Sequence, residues 1–271
     1  AAGDLSSRAT ARGRDELADL ARDFNKTAEE LESSVARLCE QEARARRFVA
    51  DVSHELRTPL AAVTMVATIL DEDAGQLPPD TARAARTVSA ETAKLSRLVD
   101  DLMEMSRFDS GAARLRLQET DLAEAIRAGL ALRGWQNRVV THLPDGVREV
   151  VDRRRVDVIV ANLVGNALRH GAPPVTVTLS AVGDWLAVTV TDSGPGLPPE
   201  ALAHVFDRFF KADTARTRSS DQESGSGLGT AIALENARLH GGTIEASNRS
   251  AGGAEFTLRL PRRHATNEED R

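Results

Sequence analysis

The segment FVADVSHELRTPL, residues 48–60, places His54, Glu55 and Thr58 together in a helical apolar pattern. Since His54 and Thr58 are four residues apart, they share one solvent-facing side of the predicted helix. A histidine there is largely neutral near pH 7, with a ring nitrogen that can attack an electrophile. Glu55 can hold the proton of the other ring nitrogen, and Pro59 is expected to bend the helix one turn further on. Taken alone, the pattern is more typical of a solvated helix face.

A second group of polar residues lies in ANLVGNALRHG, within an apolar helical pattern. Asn162 and Asn166 are one helical turn apart and Arg169 follows about one turn later, so all three project from one face. Neutral amide oxygens suit a partly hydrated Mg²⁺ that also holds phosphate oxygens. The spacing therefore indicates a site for a metal-bound phosphate compound.

Two glycine-rich turns complete the candidate site. In DSGPGLP, directly after a predicted strand, Asp192 can accept a hydrogen bond from an exocyclic amine, while Gly194 and Gly196 allow close approach of a flat ligand. GSGLG, residues 225–229, opens a predicted helix and presents backbone N–H groups to a phosphate. Each motif alone usually marks a turn, but their conjunction in this order favours nucleotide binding.

Two long amphipathic helices must position the histidine. Apolar or small residues recur at spacings of three and four from Leu17 to Leu70, as in a coiled coil. The segment DEDAGQLPPD, residues 71–80, predicts a loop, and a second helix should end near Gly111. One such hairpin leaves a wide apolar stripe uncovered, and pairing two hairpins into a four-helix bundle would bury it. We therefore expect a homodimer.

After Gly111 the pattern changes to short strands alternating with helices. Asp121 with Glu124 three residues later predicts a capped helix start, and a second helix is predicted from about Arg153 to His170. PPVTVTLSAV and WLAVTVTD alternate with period two and predict paired strands, and GTIEASN and AEFTLRL predict two more. We expect an α+β sandwich with one mixed sheet and helices on one face.

Composition limits the remaining possibilities. The 35 basic and 41 acidic residues give a formal net charge of −6, which argues against nucleic-acid binding by bulk charge. No apolar run has the length of a membrane span and no signal peptide is present, so we expect these residues to be soluble. The missing initiator Met suggests part of a longer protein. A single cysteine, Cys39, excludes an internal disulfide framework and fits a reducing compartment.

These motifs together resemble the sensor histidine kinases of bacterial two-component systems. FVADVSHELRTPL resembles the H box of that family and NLVGNALRHG its N box, while DSGPGLP, VFDRFFK and GSGLGTAI resemble the G1, F and G2 boxes. Residues 3–38 resemble the connector and second helix of a HAMP signal-transfer domain. The resemblance covers nearly the whole chain, with all boxes in family order.

In the helical half, the resemblance implies that His54 is the phosphoacceptor and that Glu55 is its acid/base partner. It implies that Thr58 positions water when the bundle dephosphorylates its partner protein. The expected reaction is autophosphorylation of His54 by ATP, followed by transfer to an aspartate in the receiver domain of a response regulator. Phosphatase activity on that regulator is also expected.

In the second half, the resemblance implies that Asn166 coordinates Mg²⁺, that Asn162 supports it and that Asp192 binds the adenine amine. The other ATP-binding positions that it implies are Arg169, near the phosphates, and His170, Gly194, Gly196, Lys211, Gly225, Gly227, Leu228 and Gly229. Residues 211–226 would form a mobile lid over ATP. Two positions depart from the family pattern: Gly165 stands where an acidic or amide residue is frequent, and Thr230 replaces a common leucine.

The resemblance also divides the chain. It implies a partial HAMP domain and signalling helix at 1–38, a dimerisation and histidine-phosphotransfer hairpin at 39–112, a catalytic ATP-binding domain of the Bergerat or GHKL type at 113–263, and a flexible tail at 264–271. It implies membrane attachment through segments that precede Ala1, with this portion in the cytoplasm. No direct contact with nucleic acid is expected.

Two other functions remain open at this point. The second half also resembles the ATPase domain of gyrase and Hsp90-type proteins, but those enzymes tend to need an acidic general base where Asn162 stands. The other alternative is a kinase-inactive dimeric scaffold or a phosphatase-only protein. The intact N, G1 and G2 boxes argue against such a scaffold.

Overall fold

The computed structural model describes residue 9 and residues 16–211 and 226–262. Within it the chain forms two compact units, residues 1–96 and 97–271, and the division falls inside a helix. None of the helices in the described ranges has an apolar stretch of the length and hydropathy needed to cross a bilayer. Each unit is described separately below.

The first unit contains the predicted long helices. Helix α1, Glu16–Glu72, continues through Pro59 and is followed by a 3₁₀ turn, Asp73–Gln76. Helix α2 then begins at Pro79 and ends at Asp109, and its residues up to Ser96 belong to this unit. The proline pair at the loop explains this boundary, because proline is well tolerated in the first turn of a helix.

The two helices of the first unit meet through small and polar residues. Thr64 Oγ1 and Ser96 Oγ are 3.1 Å apart, and Ala67, Ala82 and Ala85 are buried. Larger apolar side chains stay exposed, among them Val52, Leu56, Val66 and Leu95. An apolar groove runs along the hairpin, lined by Ala62, Val63, Val66, Ala67, Leu70 and Val88. The single hairpin therefore leaves the predicted apolar stripe uncovered.

The second unit begins with the last turns of α2 and continues as an α+β fold. Its helices are α3 (Leu122–Leu132), α4 (Arg153–His170), the short α5 (Pro199–Leu202) and α6 (Gly229–Leu239). Its strands are β1 (Gln118–Asp121), β2 (Val139–His142), β3 (Arg148–Val151), β4 (Val175–Val182), β5 (Trp185–Thr191), β6 (Thr243–Asn248) and β7 (Ala254–Pro261). The predicted strands and helices are all present.

The strands form two sheets, and the prediction of one sheet was therefore incomplete. Five strands form a mixed sheet in the order β2-β4-β5-β7-β6, in which only the β2–β4 pair is parallel. Strands β1 and β3 pair with each other in a separate antiparallel sheet. Pairing between such distant short segments depends on tertiary packing, which the local alternation of residues does not report.

One face of the five-stranded sheet packs against the helices. Buried residues alternate along β4, β5 and β7, and they join apolar residues of α3, α4 and α6 in one core. Phe256 and Leu258 on β7 and Leu163 on α4 are at its centre. This core holds α4 and α6 at fixed positions, and these two helices carry the polar motifs.

Side-chain caps define where the helices begin. Asp121 accepts a hydrogen bond from the Glu124 backbone N–H at 3.0 Å, as the capping pattern predicts. Asp152 caps α4 in the same way by accepting from the Arg155 N–H at 3.1 Å. The end of α4 at Gly171 is also as predicted, but its backbone is extended rather than left-handed, with φ −87° and ψ −163°. The glycine therefore has another purpose, which appears at the site.

Candidate functional site

Helix α4 brings the predicted amides to the start of α6. Asn162 and Asn166 are both half-buried, and Asn162 Nδ2 donates to the Val158 carbonyl at 3.0 Å. A Cβ atom built at Gly229 would lie only 2.5 Å from Asn162 Oδ1. Only glycine therefore lets the first turn of α6 approach this amide. The N-box and G2-box residues, which are far apart in sequence, meet at this point.

The Asp192 carboxylate lies in a pocket made of backbone. Asp192 follows β5 and is only 4% exposed, and its Oδ1 accepts from the Gly194 N–H at 2.8 Å. A Cβ atom at Gly171 would lie 2.4 Å from Asp192 Cγ, and one at Gly253 would lie 2.0 Å from the Asp192 carbonyl oxygen. These glycines admit the carboxylate to the end of α4. The purpose of Gly171 is this close approach.

The G1 turn after Asp192 is held by a residue that the motifs did not identify. Asn248, at the end of β6, accepts from the Leu197 N–H at 2.8 Å and donates to the Leu197 carbonyl at 2.7 Å. Gly196 has φ +74°, and a Cβ atom there would lie 2.7 Å from Asn248 Oδ1. Nothing in the local sequence around Asn248 indicates this contact.

The G2 turn packs against the F-box segment. Gly227 has φ +73°, and its carbonyl accepts from the Phe209 N–H at 2.9 Å. Phe209 itself adopts φ +61°, which is uncommon for a residue other than glycine, and its side chain is exposed. Leu228 is buried beside Ala231 and Ile232. The turn is therefore fixed by backbone bonds on one side and by packing on the other.

The end of α4 is basic. Arg169 and His170 both lie at the surface in the last turn. Partial burial of the ring, together with the positive charge of Arg169, lowers the pKa of His170 below its usual value. His170 is thus held in its neutral form near pH 7, as an uncharged lining residue would require. Gly165 is buried one turn earlier, and a Cβ atom there would lie 3.4 Å from Trp135 Cη2.

Other predicted residues are described only in part. The backbone of His54 and Thr58 lies in α1, but their side chains lie outside what the structure describes. Glu55 is exposed on the same helix, and Lys211 is exposed after the F box. Gly225 and nearly all of the predicted lid, residues 212–225, lie outside the described residues. The tail beyond residue 262 does so too.

The residues at this site fit Mg²⁺ only as a partner of a bound phosphate compound. In the described part of the chain, no three or more His, Cys, Asp or Glu residues cluster as they would around a metal ion. Asn166 offers a neutral, half-buried amide oxygen instead. Mg²⁺ commonly binds through one or two protein ligands, several waters and the phosphates of a substrate. The donor set at α4 fits that mode.

Three family models match consecutive parts of the chain. Residues 1–33 match the HAMP domain, and residues 44–111 match the His Kinase A (phospho-acceptor) domain. Residues 151–264 match the histidine kinase-, DNA gyrase B- and HSP90-like ATPase. The phosphoacceptor match contains His54, and the ATPase match contains all the nucleotide motifs.

Curated relatives are similar along nearly the whole chain. The signal transduction histidine-protein kinase AfsQ2 of Streptomyces coelicolor is 49% identical over 269 residues, which is 96% of this chain and 50% of that protein. The sensor histidine kinase MtrB of Mycobacterium bovis is 40% identical, covering 96% and 47%. BaeS of Escherichia coli, a signal transduction histidine-protein kinase, is 35% identical, covering 96% and 55%. The chain thus spans about half the length of these relatives.

Solved structures show the same fold. Full-length ShkA, crystallised in complex with AMPPNP, aligns with a TM-score of 0.64 and 27% identity over 81% of this chain and 46% of that chain. The Acinetobacter baumannii histidine kinase AdeS aligns with a TM-score of 0.54 and 23% identity over 78% of this chain and 98% of that chain. The likeness to AdeS supports the fold alone.

Proposed function

Because this chain belongs to the sensor histidine kinases of two-component systems, we propose that it uses ATP to phosphorylate His54. The phosphoryl group then passes to an aspartate on the receiver domain of a response regulator. The observation that carries this proposal is the meeting of Asn162 with Gly229 in an ATPase domain, on a chain whose phosphoacceptor domain contains His54. The proposal concerns this portion of a family whose curated members are about twice as long.

At the nucleotide, Asp192 accepts a hydrogen bond from the adenine amine, with the ring lying against Gly194 and Gly196. His170, neutral through its lowered pKa, lines the same pocket. The phosphates lie at the start of α6, where Gly225, Gly227, Leu228 and Gly229 offer backbone N–H groups. Arg169 and Lys211 supply positive charge near them, and residues 211–226 close over the nucleotide.

Mg²⁺ would be held by Asn166, with Asn162 as a polar support, and would neutralise charge on the phosphates when bound. Asn162 also keeps its amide against the first turn of α6. Since an amide cannot take a proton from water, Asn162 does not activate water for hydrolysis. The site is therefore built for transfer to another group rather than for an ATPase reaction.

At the acceptor, a neutral ring nitrogen of His54 attacks the γ-phosphorus in line, the bond to the bridging oxygen breaks and ADP leaves. Glu55 accepts the proton from the other ring nitrogen and stabilises the charge that develops. Thr58 positions water when the reaction with the response regulator runs as a phosphatase. These roles belong to the proposal together with the residues themselves.

We include a homodimer in this proposal. The groove along the hairpin and the exposed Val52, Leu56 and Leu95 support it, because a second hairpin would remove these apolar side chains from water. We also propose functional boundaries at residues 38, 112 and 263, with the last residues as a tail. Attachment to a membrane, with this portion in the cytoplasm, would depend on segments outside the residues given.

The test is to incubate the purified chain with γ-labelled ATP and Mg²⁺, beside a His54→Gln variant. A His142→Gln variant is the matched control, because His142 is an exposed histidine on β2. We expect label that is acid-labile and base-stable in the wild type and the control, and none in His54→Gln. Label that survives the His54→Gln change would place the acceptor elsewhere.

The alternative is a phosphatase-only protein or a scaffold, and the same experiment distinguishes it. Nucleotide binding without label in the wild type would favour that alternative. An Asn166→Ala variant tests the metal assignment, because Mg²⁺-dependent binding should weaken about tenfold or more when a charged ligand set loses a protein donor. Unchanged Mg²⁺ dependence would contradict the assignment to Asn166.

A further inference from the structure

The last turns of α2 contact the glycine-rich turn through a carboxylate. Asp101, which belongs to the second unit, accepts with Oδ2 a hydrogen bond from the Ser226 hydroxyl at 2.9 Å. Ser226 Oγ in turn accepts from the Leu228 backbone N–H at 3.1 Å. This chain of bonds occupies one of the backbone donors that the turn would offer to a phosphate.

The surroundings of Asp101 suit a negative group. Its carboxylate lies at the start of α6, where the aligned peptide dipoles favour negative charge. Burial raises the pKa of Asp101, and the Ser226 hydroxyl and the positive charges of Arg97 and Arg169 oppose that shift. The carboxylate therefore shares its surroundings with Arg169, the residue proposed to lie near the ATP phosphates.

Contacts on neighbouring turns of α2 hold Asp101 in this place. Arg155 Nη1, buried on α4, donates to Glu104 Oε1 at 2.9 Å and to Asn236 Oδ1 at 2.7 Å. Met105 packs in one cluster with Leu228 and with Ala231 and Ile232 of α6. A second ion pair joins Asp109 to Arg208. The position of the carboxylate is thus determined by the docking of α2.

We propose that Asp101 is an internal competitor of the ATP phosphates, and that its carboxylate must leave Ser226 before the glycine-rich turn can hold them. This inference rests on the proposed function, in which residues 225–229 bind phosphate. The physical reason is that two negative groups repel each other when both need the same donors at one helix start. Any movement of α2 that withdraws Asp101 would then increase the affinity for ATP.

The experiment measures the binding of Mg²⁺-AMPPNP, a non-hydrolysable ATP analogue, to the chain by calorimetry. Asp101→Asn removes the charge and keeps the shape, while Asp101→Ala removes the hydrogen bond as well. Because a hydrogen bond to a charged group is worth about 1.5 kcal/mol or more, we expect roughly three- to tenfold tighter binding, with the larger gain for Asp101→Ala. A merely structural role for Asp101 would leave the affinity unchanged or lower it.

Asp100→Asn is the matched control, because Asp100 carries the same charge one residue earlier on α2 and is exposed. Its affinity should stay within about twofold of the wild type, since exposed charges interact weakly. Equal or weaker binding by both Asp101 variants, in a chain whose wild type binds the analogue, would overturn the inference and leave the proposed function standing. If no variant binds, the proposed function fails and the inference fails with it.

Discussion

The two units differ in how they bury their apolar residues. In the hairpin, Val63 and Val66 remain 49% and 53% exposed, whereas Leu163 and Val177 in the ATPase unit are 0% exposed. The ATPase unit closes a core around its own sheet, and the hairpin has only small residues at its centre. The difference indicates that the ATPase unit is stable by itself, while the hairpin needs an apolar partner.

The comparison can be measured because both tryptophans, Trp135 and Trp185, lie in the second unit. Their fluorescence reports the unfolding of the ATPase unit, while circular dichroism is dominated by the long helices. The fluorescence transition should be independent of protein concentration. The transition of the helices should shift with concentration, because a folded dimer is stabilised by mass action.

The largest expected effect is in the core of the ATPase unit. Phe256→Ala should lower the free energy of unfolding by about 3 to 5 kcal/mol, because it leaves a cavity in a closed core. The measurement is denaturant unfolding followed by tryptophan fluorescence. Leu132→Ala is the control, because Leu132 is highly exposed. A similar loss in both variants would mean that this core is not the main source of stability.

The next effect concerns the buried arginine that joins α2 to the ATPase fold. Arg155→Leu should cost about 2 to 4 kcal/mol, since it leaves Glu104 and Asn236 without their shared donor. Arg154→Leu, one residue earlier and exposed, should change little. Fluorescence-detected unfolding of both variants checks this. Equal effects would show that the ion pair adds nothing specific.

A smaller effect is expected on the hairpin. Val66→Ala should weaken the dimer by about 1 to 2 kcal/mol per copy and leave the ATPase transition unchanged, because Val66 lines the uncovered groove. Analytical ultracentrifugation measures the dissociation constant. Met65→Ala is the control, because Met65 is exposed but does not line the groove. Unchanged dimerisation in Val66→Ala would remove this groove from the interface.

The smallest effect is a dependence on pH in the ATPase unit. Because the pKa of His170 is lowered in the folded state, the unfolded chain binds more protons near and below pH 6.5. The contribution of His170 to stability should be present above that pH and decrease as pH falls through the folded-state pKa. A His170→Asn variant should show a flatter fluorescence-detected profile. An identical profile would contradict the assignment to His170.

Local patterns predicted most of the elements. The apolar periodicity of the hairpin predicted α1 and α2, and Asp121 caps α3 as expected. The N, G1 and G2 motifs identified the residues of α4, the turn after β5 and the start of α6. The prediction failed for the separate β1–β3 sheet, because pairing between distant short strands depends on the whole fold.

The residues that the motifs missed act across long sequence separations. Asn248 bonds to a residue 51 positions away, and the Asp101–Ser226 bond spans 125 positions. Neither residue has a distinctive local pattern. Gly171 was identified as a helix end, but its close approach to Asp192 was not, because that approach depends on β5.

By itself, the sequence determined the family, the order of the domains and the identity of the groups that could do chemistry. It could do so because helical period, turn glycines and motif spacing are local properties of the chain. Only the tertiary structure decided that Asn162 meets Gly229 and that the Asp192 carboxylate fits against Gly171. It also decided that Asp101 holds Ser226. These contacts depend on how a shared core sets α2, α4, α6 and the sheet against one another, which no single segment encodes.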